Sequence, residues 1–245
     1  MTKAALDRRS LLTGVGAASL AAGAGATPAA AGMNPASTPV AAAAAAPSSP
    51  AQNAPEPPLV LNATEMAFVV AAVDQLIPGD ALSPSGGDCG VATFIDRQLA
   101  GAWGSGARLY RSGPYLKGKP EHGYQLPLTP REYFVAGIAA ANAYAQAAHG
   151  GTLDRLASAD QIAVLKALET GEAAFADFSS KGFFDALLLI TQEGFFADPI
   201  YGGNRDKAGW KMVGYPGLPA TYAQAIGAYR GRRYDASPQS IEDFS

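Results

Sequence analysis

The chain has 245 residues, 48% hydrophobic and 16% charged, with 18 basic side chains against 21 acidic ones. That is room for one globular domain plus extensions, and the acidic balance speaks against a basic face for phosphate backbones, so nucleic acid is not an expected partner. With a single cysteine, Cys89, an internal disulfide framework and any thiolate-rich zinc or iron-sulfur site are excluded.

The N-terminus, MTKAALDRRSLLTGVGAASLAAGAGA, joins a short basic region to an uncharged Ala/Gly/Leu run and then to small residues suited to signal peptidase, so residues 1–26 are expected to be a signal peptide. Ala24-Gly25-Ala26 is the first choice of cleavage site and Ala29-Ala30-Ala31 the second. Adjacent Arg8 and Arg9, followed by Ser10, Leu11 and Leu12, resemble the twin-arginine export pattern, with Asp7 where Ser or Thr is usual and Leu11 where Phe is common. The alternative is an ordinary Sec signal whose basic region happens to hold two arginines. Leu11 to Ala31 carries no charge but is mostly Ala and Gly, too little apolar surface for a firm membrane anchor. Residues 27–58 are dominated by Ala, Pro, Ser and Thr; with almost nothing bulky to bury, they are expected to form a disordered tether.

Hydrophobic spacing becomes legible in the domain that follows, residues 59–245. Asn62 with Glu65 forms a capping box ahead of an apolar face of Met66, Val69, Val70, Val73, Leu76 and Ile77, and Pro78 stops the helix. A second helix is expected from near Asp88, carrying Val91, Phe94, Ile95 and Leu99 as far as Gly101. Thr129-Pro130-Arg131-Glu132 combines a Thr cap, Pro at the first helical position and a Glu placed to reach back to the cap amide; the helix it opens runs to Gly150-Gly151. Ser158 to Gln161 opens another, and Ser180 precedes the most apolar of all, Phe183 to Phe196, expected to be buried on nearly every side. No convincing alternating strand is found, and the expected fold class is all-α, a single helical domain with long Gly/Pro/aromatic-rich loops.

Those loops, after Gly101 and after Phe196, hold Trp103, Tyr110, Tyr115, Tyr124, Tyr201, Trp210 and Tyr215. Disordered tracts are short of aromatics, so the loops either face a partner or pack on their own helices, and one loop can do both. The candidate contact residues are Cys89, Trp103, Tyr115, Tyr124, Gln125, Tyr201, Arg205 and Trp210. Cys89, in the Gly-rich turn SPSGGDCGV, is either buried and inert or disulfide-linked to another chain. Catalytic signatures are missing. His122 and His149 lie apart with no metal-ligand spacing, and His149 suits a helix C-terminus, where an imidazolium is favoured. Asp198, Asn204 and Asp206 do not follow the order of calcium ligands and read as a turn network. YGGNRDKAGWK is not a phosphate loop, and no GxSxG elbow occurs.

Three segments, IPGDALSPSGGDCGVATFIDRQLAG, RSGPYLKGKPEHGYQLPLTPREYFVAGI and TQEGFFADPIYGGNRDKAGWKMVGYPG, closely resemble the small subunit of membrane-bound gluconate 2-dehydrogenase, in the family named gluconate 2-dehydrogenase subunit 3. The resemblance covers about Leu61 to Tyr229. It implies a chain without a catalytic, cofactor or metal site of its own. Its expected partners are a glucose-methanol-choline-type flavoprotein holding FAD, a multi-haem cytochrome c subunit and the twin-arginine translocase, and its expected location is the periplasm, against the inner membrane. An independent periplasmic enzyme and an adhesion or scaffold domain are the rival classes.

Overall fold

The computed structural model describes residues 57–245 apart from 117, 120, 121 and 220. The expected signal peptide, and the expected linker up to residue 56, lie outside the described residues. Among the described residues seven α-helices form: α1 (Ala63–Leu76), α2 (Val91–Ala100), α3 (Pro130–His149), α4 (Ser158–Thr170), α5 (Ser180–Phe196) and two short ones, α6 (Ala208–Val213) and α7 (Ala223–Ala228). No strand occurs among the described residues, where the only extended pairing is one isolated bridge between Gly217 and Gln239. The class is all-α.

The helix starts follow from local chemistry. Asn62 Oδ1 accepts from the Glu65 amide at 2.9 Å while Glu65 Oε2 accepts from the Asn62 amide at 2.8 Å. At α3 the same reciprocal pair joins Thr129 and Glu132, with Pro130 at the first helical position. The α3 capping contacts, first the Thr129 amide, hold the Glu132 carboxyl below the usual carboxylate range. Glycine in the left-handed region ends α3 at Gly150 and α4 at Gly171. The second helix begins at Val91, later than expected, because Asp88 and Cys89 belong to the turn before it; Ser85 accepts from the Cys89 amide at 2.9 Å.

The core lies among α1 to α5, with α5 packed against α4 and α2 and α1 against α2, α3 and α4. At its centre Phe183 on α5 meets Phe68 of α1 and Tyr133 and Phe134 of α3, ring centroids 5.9 to 6.4 Å apart. α5, expected to be buried on nearly every side, keeps one exposed stripe: Phe183, Phe184, Leu187 and Ile190 are buried and Leu188 is half-buried, whereas Leu189 is 57% exposed on a line shared with Lys181, Asp185 and Glu193. Four-residue spacing places those side chains together on the solvent side.

Candidate protein-protein interface

All three motif segments meet on α2. Ahead of the helix, Gly90 takes a left-handed conformation (φ +79°), and a Cβ there would stand 2.5 Å from the Gly202 carbonyl, so only glycine lets the later loop approach so closely. That loop is then strapped down. The Arg205 amide donates to the Cys89 carbonyl at 2.9 Å, Arg205 Nη1 to the Asp88 carbonyl at 3.1 Å, and Arg97 Nη1 to the Ile200 carbonyl at 3.4 Å. At the other end, Arg131 of α3 donates through Nε to the Leu99 carbonyl at 2.9 Å and through Nη2 to that of Ala100 at 3.3 Å. Its guanidinium thus satisfies orphan carbonyls at the negative end of the α2 dipole.

Three polar residues of these segments bind backbone. Asp96, 2% exposed on α2, accepts the amides of Leu59, Val60 and Leu61 at 2.5, 3.1 and 2.9 Å and so pins the start of the domain. Asn204, fully buried, donates to the Ala197 carbonyl and accepts from the Gly209 amide, both at 2.8 Å. Asp198 accepts the amides of Ile200 and Ile241. The Asp198–Asn204 stretch is therefore a turn network. His149 closes α3 beside Asp160 of α4, 3.2 Å from its carboxylate.

Two of the sequence-expected contact residues face inward. Cys89 is 1% exposed, its thiol directed to the Pro84 carbonyl at 3.9 Å, so another chain cannot reach it for a disulfide while the turn is intact. Trp210 is 6% exposed because the segment expected to be loop forms α6, which turns the indole inward to donate to the Phe196 carbonyl at 2.7 Å and to meet Tyr215 edge-on.

The others are accessible but lie in two groups. Trp103, 47% exposed, packs its edge on Phe134, and Tyr124 stacks on Tyr133 with centroids 4.1 Å apart. Tyr115 and Gln125 are exposed in the same loop, their side chains bonded to the Arg111 and His122 carbonyls. Tyr201 and Arg205 are exposed near the start of α2, away from the Arg131 end by about 15 Å, the length of a ten-residue helix. Beside Tyr201 the structure adds Ile200 and the C-terminal Ile241 and Phe244, all exposed, as the turns Pro199–Tyr201 and Ile241–Phe244 touch. Sequence spacing gave no hint of this patch, since its halves are forty residues apart.

A separate shallow cavity of about 580 Å³ lies between the start of α1 and the end of α3. Its titratable lining, Asp154 and Arg155, is one loose ion pair at 3.9 Å.

Comparison with curated proteins and with solved structures returned no match. A family profile described as gluconate 2-dehydrogenase subunit 3 matches residues 63–217. The matched span takes in α1 to α6 and all of the three segments that converge on α2, and it holds every residue of the buried core except Leu61. On that match the chain belongs to the gluconate 2-dehydrogenase subunit 3 family.

Proposed function

We propose that this chain is the non-catalytic small subunit of a periplasmic, membrane-associated, FAD-dependent dehydrogenase complex, and that it escorts the folded flavoprotein through twin-arginine export and stabilises it. The observation that carries the reading is the use made of polar residues within the matched span: Asp96, Arg97, Arg131, Asn204 and Arg205 bind backbone groups of this same chain. Side chains spent in this way build a scaffold, and the scaffold displays Trp103, Tyr115 and Tyr201 to a partner.

The catalytic partner in this reading is a glucose-methanol-choline-type flavoprotein, which holds the FAD and oxidises the substrate; a multi-haem cytochrome c subunit takes the electrons onward. FAD enters a folded protein in the cytoplasm, and an export route that accepts folded cargo moves both chains when one carries the signal. The test is fractionation after Arg8 and Arg9 are both replaced by lysine. Dehydrogenase activity of the unaltered flavoprotein is expected to stay in the cytoplasm.

A further inference from the structure

Beyond the matched span, the chain leaves the domain at Leu218 and returns at Gln239. The Leu218 amide donates to the Gln239 carbonyl at 2.8 Å and the Gln239 amide to the Pro216 carbonyl at 3.0 Å, so the two ends of the excursion are tied side by side. Its return is locked by Ser240, fully buried, and by the Lys207–Asp243 ion pair. Between the ties the excursion is ordered by its own rings. Tyr234 meets Tyr222 at 6.2 Å and Tyr229 at 4.8 Å, and the Tyr222 hydroxyl donates to the Gly217 carbonyl. A closed surface loop packed by its own side chains is a form that proteins commonly put to functional use.

Its charge runs against the rest of the molecule. Arg230, Arg232 and Arg233, all exposed, stand in this arm with one acidic neighbour, Asp235, which pairs with Arg233 at 2.6 Å and leaves the arm with a net charge of about +2, in a chain whose acidic residues otherwise outnumber its basic ones. Ile226, 67% exposed, and Tyr229 add apolar area beside them.

We infer that this arginine-tyrosine arm docks on an acidic surface of the flavoprotein subunit, an inference that rests on the proposed escort role. Charge complementarity demands an anionic partner. Arginine and tyrosine on a preorganised loop have the composition of protein-protein contact residues, whereas three arginines fall below the clusters of four to eight that mark anionic-lipid recognition.

The test uses the full chain and the FAD-containing subunit isolated from the native complex. Wild-type affinity is expected to fall as salt rises. The variant Arg230→Glu/Arg232→Glu/Arg233→Glu is expected to bind about tenfold or more weakly and to lose that salt dependence, with an unchanged melting temperature. The triple lysine variant, which keeps the charge, is expected to retain most of the binding. Equal affinity of wild type and glutamate variant would overturn the arm's role while leaving the escort reading intact. Failure of the wild-type chain to bind the flavoprotein at all would overturn both. The inference also falls if the glutamate variant loses only binding to phosphatidylglycerol vesicles, or only a self-association seen by light scattering of the chain alone.

Discussion

The Cys89 thiol sits under the turn that runs from Ser85, so a reagent meets it only when that turn opens. Ellman's reagent is expected to react with the native protein only as fast as that turn opens, and at once in denaturant; Cys89→Ser should leave non-reducing gels unchanged. Rapid labelling of the native chain would contradict the burial. The stacked pair Tyr124 and Tyr133 makes a second claim at the same scale. Burial pushes both hydroxyls up to about 12, helped at Tyr124 by the Glu132 charge and at Tyr133 by Tyr124 and Asp185. In the unfolded chain both ionise near pH ~10, so the folded state holds its protons longer. The contribution of the pair is complete below about pH 10 and is lost as pH rises towards the folded value. The melting temperature should accordingly drop between about pH 10 and 12, and less steeply in Tyr124→Phe. A level profile over that window would show that the stack does not couple to stability.

For α5 the exposed stripe sets two opposite expectations on neighbouring leucines. Leu187 is fully buried, and Leu187→Ala should cost about 2–5 kcal/mol in urea unfolding, the transfer free energy plus an unfilled cavity. Leu189→Ala, two residues on, should stay within about 0.5 kcal/mol. Equal losses at the two positions would mean that something covers the outer face of α5. The stripe was readable in principle, since Lys181, Asp185 and Glu193 mark it at four-residue spacing. The run of leucines between them hid it, because period alone does not separate a wholly buried helix from one with a narrow exposed edge.

Across the whole molecule, replacing Arg8 and Arg9 by lysine tests how the chain serves its partner. Lysine keeps the positive charge, so a general attraction to the membrane would survive, while recognition of paired guanidinium groups would not. The flavoprotein should still acquire FAD and still bind the retained small subunit, with dye-linked sugar or polyol dehydrogenase activity recovered from the cytoplasm and little from membrane or periplasm. Wild-type activity in the periplasm would instead make the two arginines the basic end of a Sec signal and remove the escort role.

The sequence by itself determined the helical class, both capping boxes, the glycine stops and the family, because each of these rests on residues within a turn or two of one another or on contiguous motif segments. What only the tertiary structure decided is which way each loop faces. Arg205 holds the Asp88 carbonyl across 117 residues and Arg97 holds the Ile200 carbonyl across 103, and these distant straps fix the packing around α2. Cys89 and Trp210, both candidate contact residues by sequence, are drawn inside by it. The pinning of Leu59 to Leu61 on Asp96 has the same origin. Capping is a contact three residues long and is written locally, whereas burial is set by whatever the fold brings from elsewhere in the chain.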